Sequence, residues 1–187
     1  MTATTTTMTR SGPPARIVLA ILSACGLAAL AWASFVQPAA RVVYNPSNSV
    51  PVGWYRIAPA GSPPRLLSVG SIVLVRLPAD AAALAAQRGY LPAHIPLLKR
   101  VGAVAPQNVC IVDRKLRIDG VPVASLLPTD RMGHPLPSWQ QCRPLADGEL
   151  FLLSGSNPAS FDSRYFGPIW ASAVIGTALP IRVEQRP

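Results

Sequence analysis

Histidine and lysine are both scarce in this chain: two histidines in 187 residues, and only two lysines among 17 basic residues. Cysteine occurs three times and acidic residues eight times. His94 and His134 show no ligand spacing with any cysteine, so no zinc site is expected, and the sequence implies no other metal or cofactor. The formal charge of +9 raises the question of nucleic acid, but the basic residues are scattered and no run of four or more occurs. A face that tolerates arginine near anionic lipid headgroups accounts for the charge, and no nucleic-acid partner is expected. No internal repeat is present. The length accommodates one membrane segment and one modest domain, whose core is large enough to fold without metal clusters.

What the chain does contain is an uncharged apolar run from 17 to 36, the length of a bilayer-spanning helix. Arg10 and Arg16 precede it, which favours a cytoplasmic N-terminus and an exported remainder, although Arg41 soon after weakens that bias. A cleavable secretory signal is the alternative, with Ala31-Trp32-Ala33 as its small-x-small site. The run exceeds a usual signal core, so a retained single-pass anchor over 16–37 is expected. Residues 1–15, with Thr4 to Thr7 and then Ser11-Gly12-Pro13-Pro14, are expected to form a disordered cytoplasmic tail. Cys25 sits inside the apolar run as inert filler. Cys110 and Cys142 fall in the exported part, where an oxidising compartment allows them to pair; two reduced core cysteines are the alternative.

The exported part, 38–187, reads as short β-branched runs punctuated by proline and glycine. They are Ser71 to Leu77, Leu97 to Val101, Asn108 to Val112, Lys115 to Ile118, Glu149 to Leu153 and Ala173 to Leu179. This pattern predicts a mostly antiparallel β domain. One short helix is expected from Asp80 to Gly89, with Asp80 as its cap and Gly89 as its stop. Thr129 to Pro144, with Pro135, Pro137 and Pro144, is expected to be a long loop.

Asn45-Pro46-Ser47-Asn48-Ser49-Val50-Pro51-Val52-Gly53-Trp54-Tyr55 sets a serine in a punctuated loop just beyond the apolar segment. Serine is a poor nucleophile at neutral pH and needs a neighbour to take its proton. Lysine serves only when its ammonium is destabilised by burial. If Leu97 to Val101 is a strand, alternation puts Lys99 on one face with Leu97 and Val101, while Leu98 and Arg100 point the other way. Lys115 lies in the charged, hairpin-like Asp113-Arg114-Lys115-Leu116-Arg117, which makes it the weaker candidate. Ser49 and Lys99 are therefore the candidate nucleophile and base.

The order of these segments resembles the serine-lysine type I signal peptidase family, and within it the conjugative-transfer (TraF-like) subgroup. Ser47-Asn48-Ser49 is similar to the family's Ser-x-Ser box, Val69 to Val75 to its strand box, and Leu98-Lys99-Arg100-Val101-Gly102 to its lysine box. Ile118 to Val123 resembles its strand-turn-strand element, and Ser160-Phe161-Asp162-Ser163-Arg164-Tyr165-Phe166-Gly167 its final box. The subgroup is indicated by Asn45 through Tyr55, by Arg88-Gly89-Tyr90-Leu91 and by Leu136-Pro137-Ser138-Trp139 leading to Cys142. Two departures from ordinary leader peptidases stand out. Gly155-Ser156-Asn157 replaces Gly-Asp-Asn, and Val50 replaces a methionine after the nucleophile; both bear on housekeeping signal-peptide processing more than on the chemistry.

The resemblance implies that Ser49 attacks the scissile carbonyl and Lys99 acts as general base and then acid. It implies that the Ser49 N–H and Ser47 hydroxyl receive the oxyanion and that Ser160 orients Lys99. Asp162 and Arg164 then brace that wall, as a carboxylate-guanidinium pair naturally does. An extended substrate is expected to add as a strand beside Leu97 and Leu98, with small pockets before the cut. The expected protein is a single-pass inner-membrane serine endopeptidase with its catalytic domain on the periplasmic face. It would mature a pilin-like or signal-peptide-bearing membrane precursor for a conjugation or type IV secretion apparatus. A general type I signal peptidase and a non-catalytic, membrane-anchored subunit of a secretion channel are the alternatives.

Overall fold

The computed structural model describes residues 14–35, 41–59 and 67–184. The chain divides into two compact units, Met1–Pro38 and Ala39–Pro187. In the first, α1 (Pro14–Phe35) is a 22-residue helix without acidic residues in its first turn or basic ones in its last. Among the described residues no helix is long and apolar enough to cross a membrane; the side chains of α1 beyond Trp32 lie outside them. The expected tail lies outside them too, except for Pro14 and Ala15, which are helical.

The second unit is built from antiparallel strands. They are β1 (Arg41–Asn45), β2 (Gly53–Pro59), β3 (Ile72–Val75), β4 (Leu97–Val104), β5 (Asn108–Val112), β6 (Lys115–Ile118), β7 (Val121–Ser125), β8 (Cys142–Pro144), β9 (Glu149–Leu153), β10 (Ile169–Trp170) and β11 (Val174–Val183). Seven form one sheet in the order β1-β2-β11-β3-β4-β9-β10, and four form a second in the order β7-β6-β5-β8. Strand β3 is buried on both faces at Val73, Leu74 and Val75, which suits its central place between β11 and β4. Strand β2 alternates buried Tyr55 and Ile57 with exposed Trp54 and Arg56 and so has one dry face. Val50, Tyr55, Ile57, Leu74, Leu98 and Ala178 form a core cluster beneath the Asn45–Tyr55 loop. Phe151, Tyr165, Leu116, Val109 and their neighbours fill the space under the smaller sheet.

Three of the expected runs, Asn108 to Val112, Lys115 to Ile118 and Glu149 to Leu153, coincide with β5, β6 and β9. Asp113 and Arg114 between β5 and β6 both have positive φ, 50° and 57°, the backbone of a two-residue hairpin turn. The helix is α2 (Ala79–Gln87), but Asp80 is not its cap: Pro78 holds the N-cap position, with no side-chain capping bond. Asp80 instead lies in the first turn, where a carboxylate meets the positive end of the helix dipole. The expected loop from Thr129 to Pro144 ends as a strand, because β8 pairs with β5 and the structure joins Cys142 to its cross-strand partner Cys110. A three-residue Cys-Arg-Pro segment has no hydrophobic pattern to announce itself; its pairing partner imposes the conformation.

Candidate active site

Between β1 and β2 the chain makes the Pro46–Val52 loop, and its exit is fixed by Gly53 at φ +146°. A Cβ there would stand 2.2 Å from the Arg182 carbonyl oxygen, so only glycine lets the loop rejoin β2 beside β11. Inside the loop Val50 is 2% exposed and anchors in the cluster below, while Tyr55 donates to the Pro51 carbonyl at 2.6 Å. Ser49 is thereby held in a buried position, with its Oγ 2.9 Å from Ser47 Oγ and donating to Leu98 O at 3.3 Å.

Leu98 and Lys99 belong to β4, and the expected alternation holds. Leu98 enters the cluster under the loop, while Lys99 and Val101 are buried on the opposite face. Lys99 is 2% exposed and its Nζ donates to Ser160 Oγ. Burial pulls its pKa down from 10.5 to about 8, against the attraction of Asp162 and with a smaller push from Arg164. Among the described residues Ser49 and Lys99 do not hydrogen-bond each other. They line the same cleft, of about 1000 Å³, together with Ser47, Ser160, Leu97 and Leu98.

Ser160 opens a turn that leads into α3 (Ser163–Phe166). Asp162 caps this helix by accepting from the Arg164 N–H, and its Oδ2 accepts from the Ser154 N–H at 3.1 Å. Arg164 returns a forked contact to Asp162, Nε to Oδ1 at 2.8 Å and Nη2 to Oδ2 at 2.9 Å. Its Nη2 also donates to Ser160 O at 3.1 Å and its Nη1 to Ser125 O at 2.7 Å. Both side chains are essentially inaccessible, so the pair braces the Ser160 turn from behind. Neither lines the cleft. The box ends at Gly167, φ +83°, where a Cβ would meet the Trp139 ring at 2.7 Å.

The β4 edge near the cleft is defined by its pairing. Val101 exchanges its backbone bonds with the Gly70–Ser71 turn on the β3 side, and pairing with β9 reaches only to Arg100 opposite Leu153. By alternation the Leu98 backbone points away from β3, beyond the end of β9, and its carbonyl is the group that receives Ser49. The Leu98 side chain is 6% exposed, so what it offers the cleft is backbone.

Two further groups at the site were not assigned from sequence. Asn45, 5% exposed, lies under the serine loop. On the far rim, Asp130 accepts from the Tyr90 hydroxyl and from the N–H groups of Met132 and His134. Its burial opposes ionisation, but these bonds and the His134 ring outweigh that and hold its carboxyl well below the usual range. Tyr90 and Asp130 are 40 positions apart, so nothing local in the sequence links them. Cys110 and Cys142 lie away from the cleft, in the second sheet.

Two hydroxyls and a buried amine thus line one cleft, beside a stretch of β4 that runs past the end of its pairing with β9 among the described residues. The family described as signal peptidase, peptidase S26, matches residues 15–182, and the chain belongs to it. Among its relatives is a plasmid transfer protein TraF of Escherichia coli, 32% identical over 178 residues, covering 89% of this chain and 93% of that protein. A conjugal transfer protein TraF of Agrobacterium fabrum is 34% identical, covering 89% of this chain and 96% of the relative. Among solved structures, a signal peptidase I of Enterococcus faecalis covers 59% of this chain and 94% of its own, with 19% identity and a TM-score of 0.37.

Proposed function

We propose that this protein is a membrane-anchored serine endopeptidase that cuts a pilin-like or signal-peptide-bearing membrane precursor for a conjugation or type IV secretion apparatus. The observation that carries this is Lys99: a lysine with a pKa of about 8, buried and held by Ser160, in one cleft with Ser49. An amine that loses its proton near neutral pH is a usable base, whereas a solvated lysine is not.

In this mechanism the substrate lies along the free Leu98 backbone as an added strand, with Leu97 beside it. Ser49 turns its Oγ from the Leu98 carbonyl toward Lys99, which takes the proton as Oγ bonds to the scissile carbonyl carbon. The tetrahedral oxygen is received by the Ser49 N–H and the Ser47 hydroxyl. Lys99 then passes the proton to the departing amine, leaving an acyl-Ser49. Water attacks that ester with Lys99 again as base, and Ser49 regains its proton. Ser160 orients the amine throughout, and the Asp162–Arg164 pair keeps the Ser160 turn in place.

The conjugation apparatus is favoured over general secretion by the relatives, which are named as plasmid and conjugal transfer proteins. The anchor rests on the uncharged apolar run from 17 to 36 in the sequence. It implies a single pass through the inner membrane with the β unit on the periplasmic face. Ser49→Ala and Lys99→Ala, introduced separately, should each abolish precursor maturation at normal protein abundance. Full maturation with either one would end the catalytic assignment and favour a structural subunit.

A further inference from the structure

We propose that Asn45 is a positioning residue that sets the direction of the Ser47 hydroxyl and so determines when Ser47 can serve the oxyanion; this rests on the peptidase mechanism above. Asn45 is the last residue of β1, opposite Gly53 on β2, and is 5% exposed. Its Nδ2, with two protons, faces three loop carbonyls, Ser47 at 2.7 Å, Val50 at 3.1 Å and Pro51 at 3.2 Å, so that one N–H is shared between two of them. Its Oδ1 accepts from the Ser47 N–H at 3.2 Å and the Ser47 hydroxyl at 2.9 Å.

These contacts leave the amide one orientation. Carbonyl oxygens only accept, so the end that faces three of them must be the NH2 group, and Oδ1 must face Ser47. A hydroxyl has a single proton, and an amide oxygen cannot give one. The Ser47 proton therefore lies on Asn45, and the Ser47 lone pairs face Ser49 Oγ, 2.9 Å away. Ser49 donates either to Ser47 or to Leu98 O, at 3.3 Å.

In the empty site, then, the Ser47 proton rests on a neutral acceptor. When negative charge grows on the substrate oxygen, a charge-assisted bond becomes available that is roughly twice as strong as the neutral one. The proton swings to it, and Asn45 keeps the Ser47 N–H, so the loop stays where it was. The donation is realised in the transition state rather than in the ground state, which is the condition for raising kcat rather than lowering KM.

Tyr55 provides a control, because its hydroxyl braces the same loop at Pro51 but does not touch Ser47. The experiment uses the full-length protein in detergent micelles and a quenched fluorescent peptide with small residues before the scissile bond. Asn45→Leu should lower kcat about tenfold at near-constant KM, and the same change on a Ser47→Ala background should cost less than about twofold, since coupled residues are not additive. Tyr55→Phe, which loosens the same loop, should lower kcat by the same factor with and without Ser47. Asn45→Asp keeps the size, and its charged oxygen grips the Ser47 proton harder, so its kcat should fall at least as far, again with the loss muted by Ser47→Ala. An Asn45→Leu loss that is equal with and without Ser47, as expected of a brace such as Tyr55, or an unchanged kcat, would reduce Asn45 to a loop brace and overturn the proposal. Cleavage at the wild-type rate by Ser49→Ala would instead remove the peptidase mechanism on which it rests.

Discussion

At the residue scale, Lys99 has a cost as well as a use. Its pKa is lowered on folding, so between about 8 and 10.5 the unfolded chain binds more protons than the folded one, and stability rises with pH across that window. Below about pH 8 both states hold the proton and the folded state bears the full penalty of a buried cation. Lys99→Met removes that penalty while keeping an unbranched chain of similar length. The variant should be inactive yet melt at a higher temperature than the wild type at pH 7, by thermal denaturation followed by circular dichroism; a lower melting temperature would mean that the amine is well compensated where it lies. The burial of Lys99 was legible in the sequence, because period-two alternation alone put it with Val101. The contacts of Asn45 were not, since the spacing Asn-x-Ser-x-Ser does not reveal that one amide meets three carbonyls of a folded loop.

At the scale of elements, the Ser160–Gly167 segment behaves as a unit that holds the third wall of the site. Asp162 and Arg164 are 0% and 1% exposed and joined by two short contacts, so removing either leaves a buried charge without its partner. Asp162→Asn or Arg164→Met should cost about 3–5 kcal/mol in urea unfolding, against under 1 kcal/mol for an exposed pair. The β5–β8 pair is a second unit. Its bridge closes a loop of sequence separation 32 and contributes on the order of 3 kcal/mol. Reducing it, or making Cys110→Ser, should lower stability by about that amount and raise amide exchange in β8 before any other strand of that sheet. Six strands stand out in the sequence as short apolar runs, β5, β6 and β9 at their observed bounds and β3, β4 and β11 with their ends displaced. The shortest, β8 and β10, have three and two residues and owe their conformation to neighbours supplied from far along the chain. Asp80 has the residue type of a cap but not its place: Pro78 has the fixed φ a helix entrance needs, and the carboxylate falls inside the first turn.

At the scale of the whole molecule, the chain joins a helical N-terminal unit to a β unit that contains every residue of the proposed chemistry. The division was visible in the sequence from the abrupt change at Pro38, because an uncharged run and proline-punctuated β segments are compositionally unlike. Which precursor would meet the cleft was not, because a strand added along the Leu98 edge, as proposed, would be read by its backbone, and backbone is common to all peptides. If α1 anchors the protein, the full chain should stay with the membrane pellet after an alkaline carbonate wash, while a chain starting at Ala39 should be released; release of the full chain would remove the anchor. The central claim is that a neutral Lys99 activates Ser49. Its most direct test is the pH dependence of single-turnover cleavage of a membrane-inserted precursor by the full-length protein. The rate should climb tenfold per pH unit on the acidic side and level off near pH 8, where the buried amine gives up its proton. A rate that stays flat from pH 5 to 8, or levels off near 6.5 as an ordinary histidine would dictate, would contradict it.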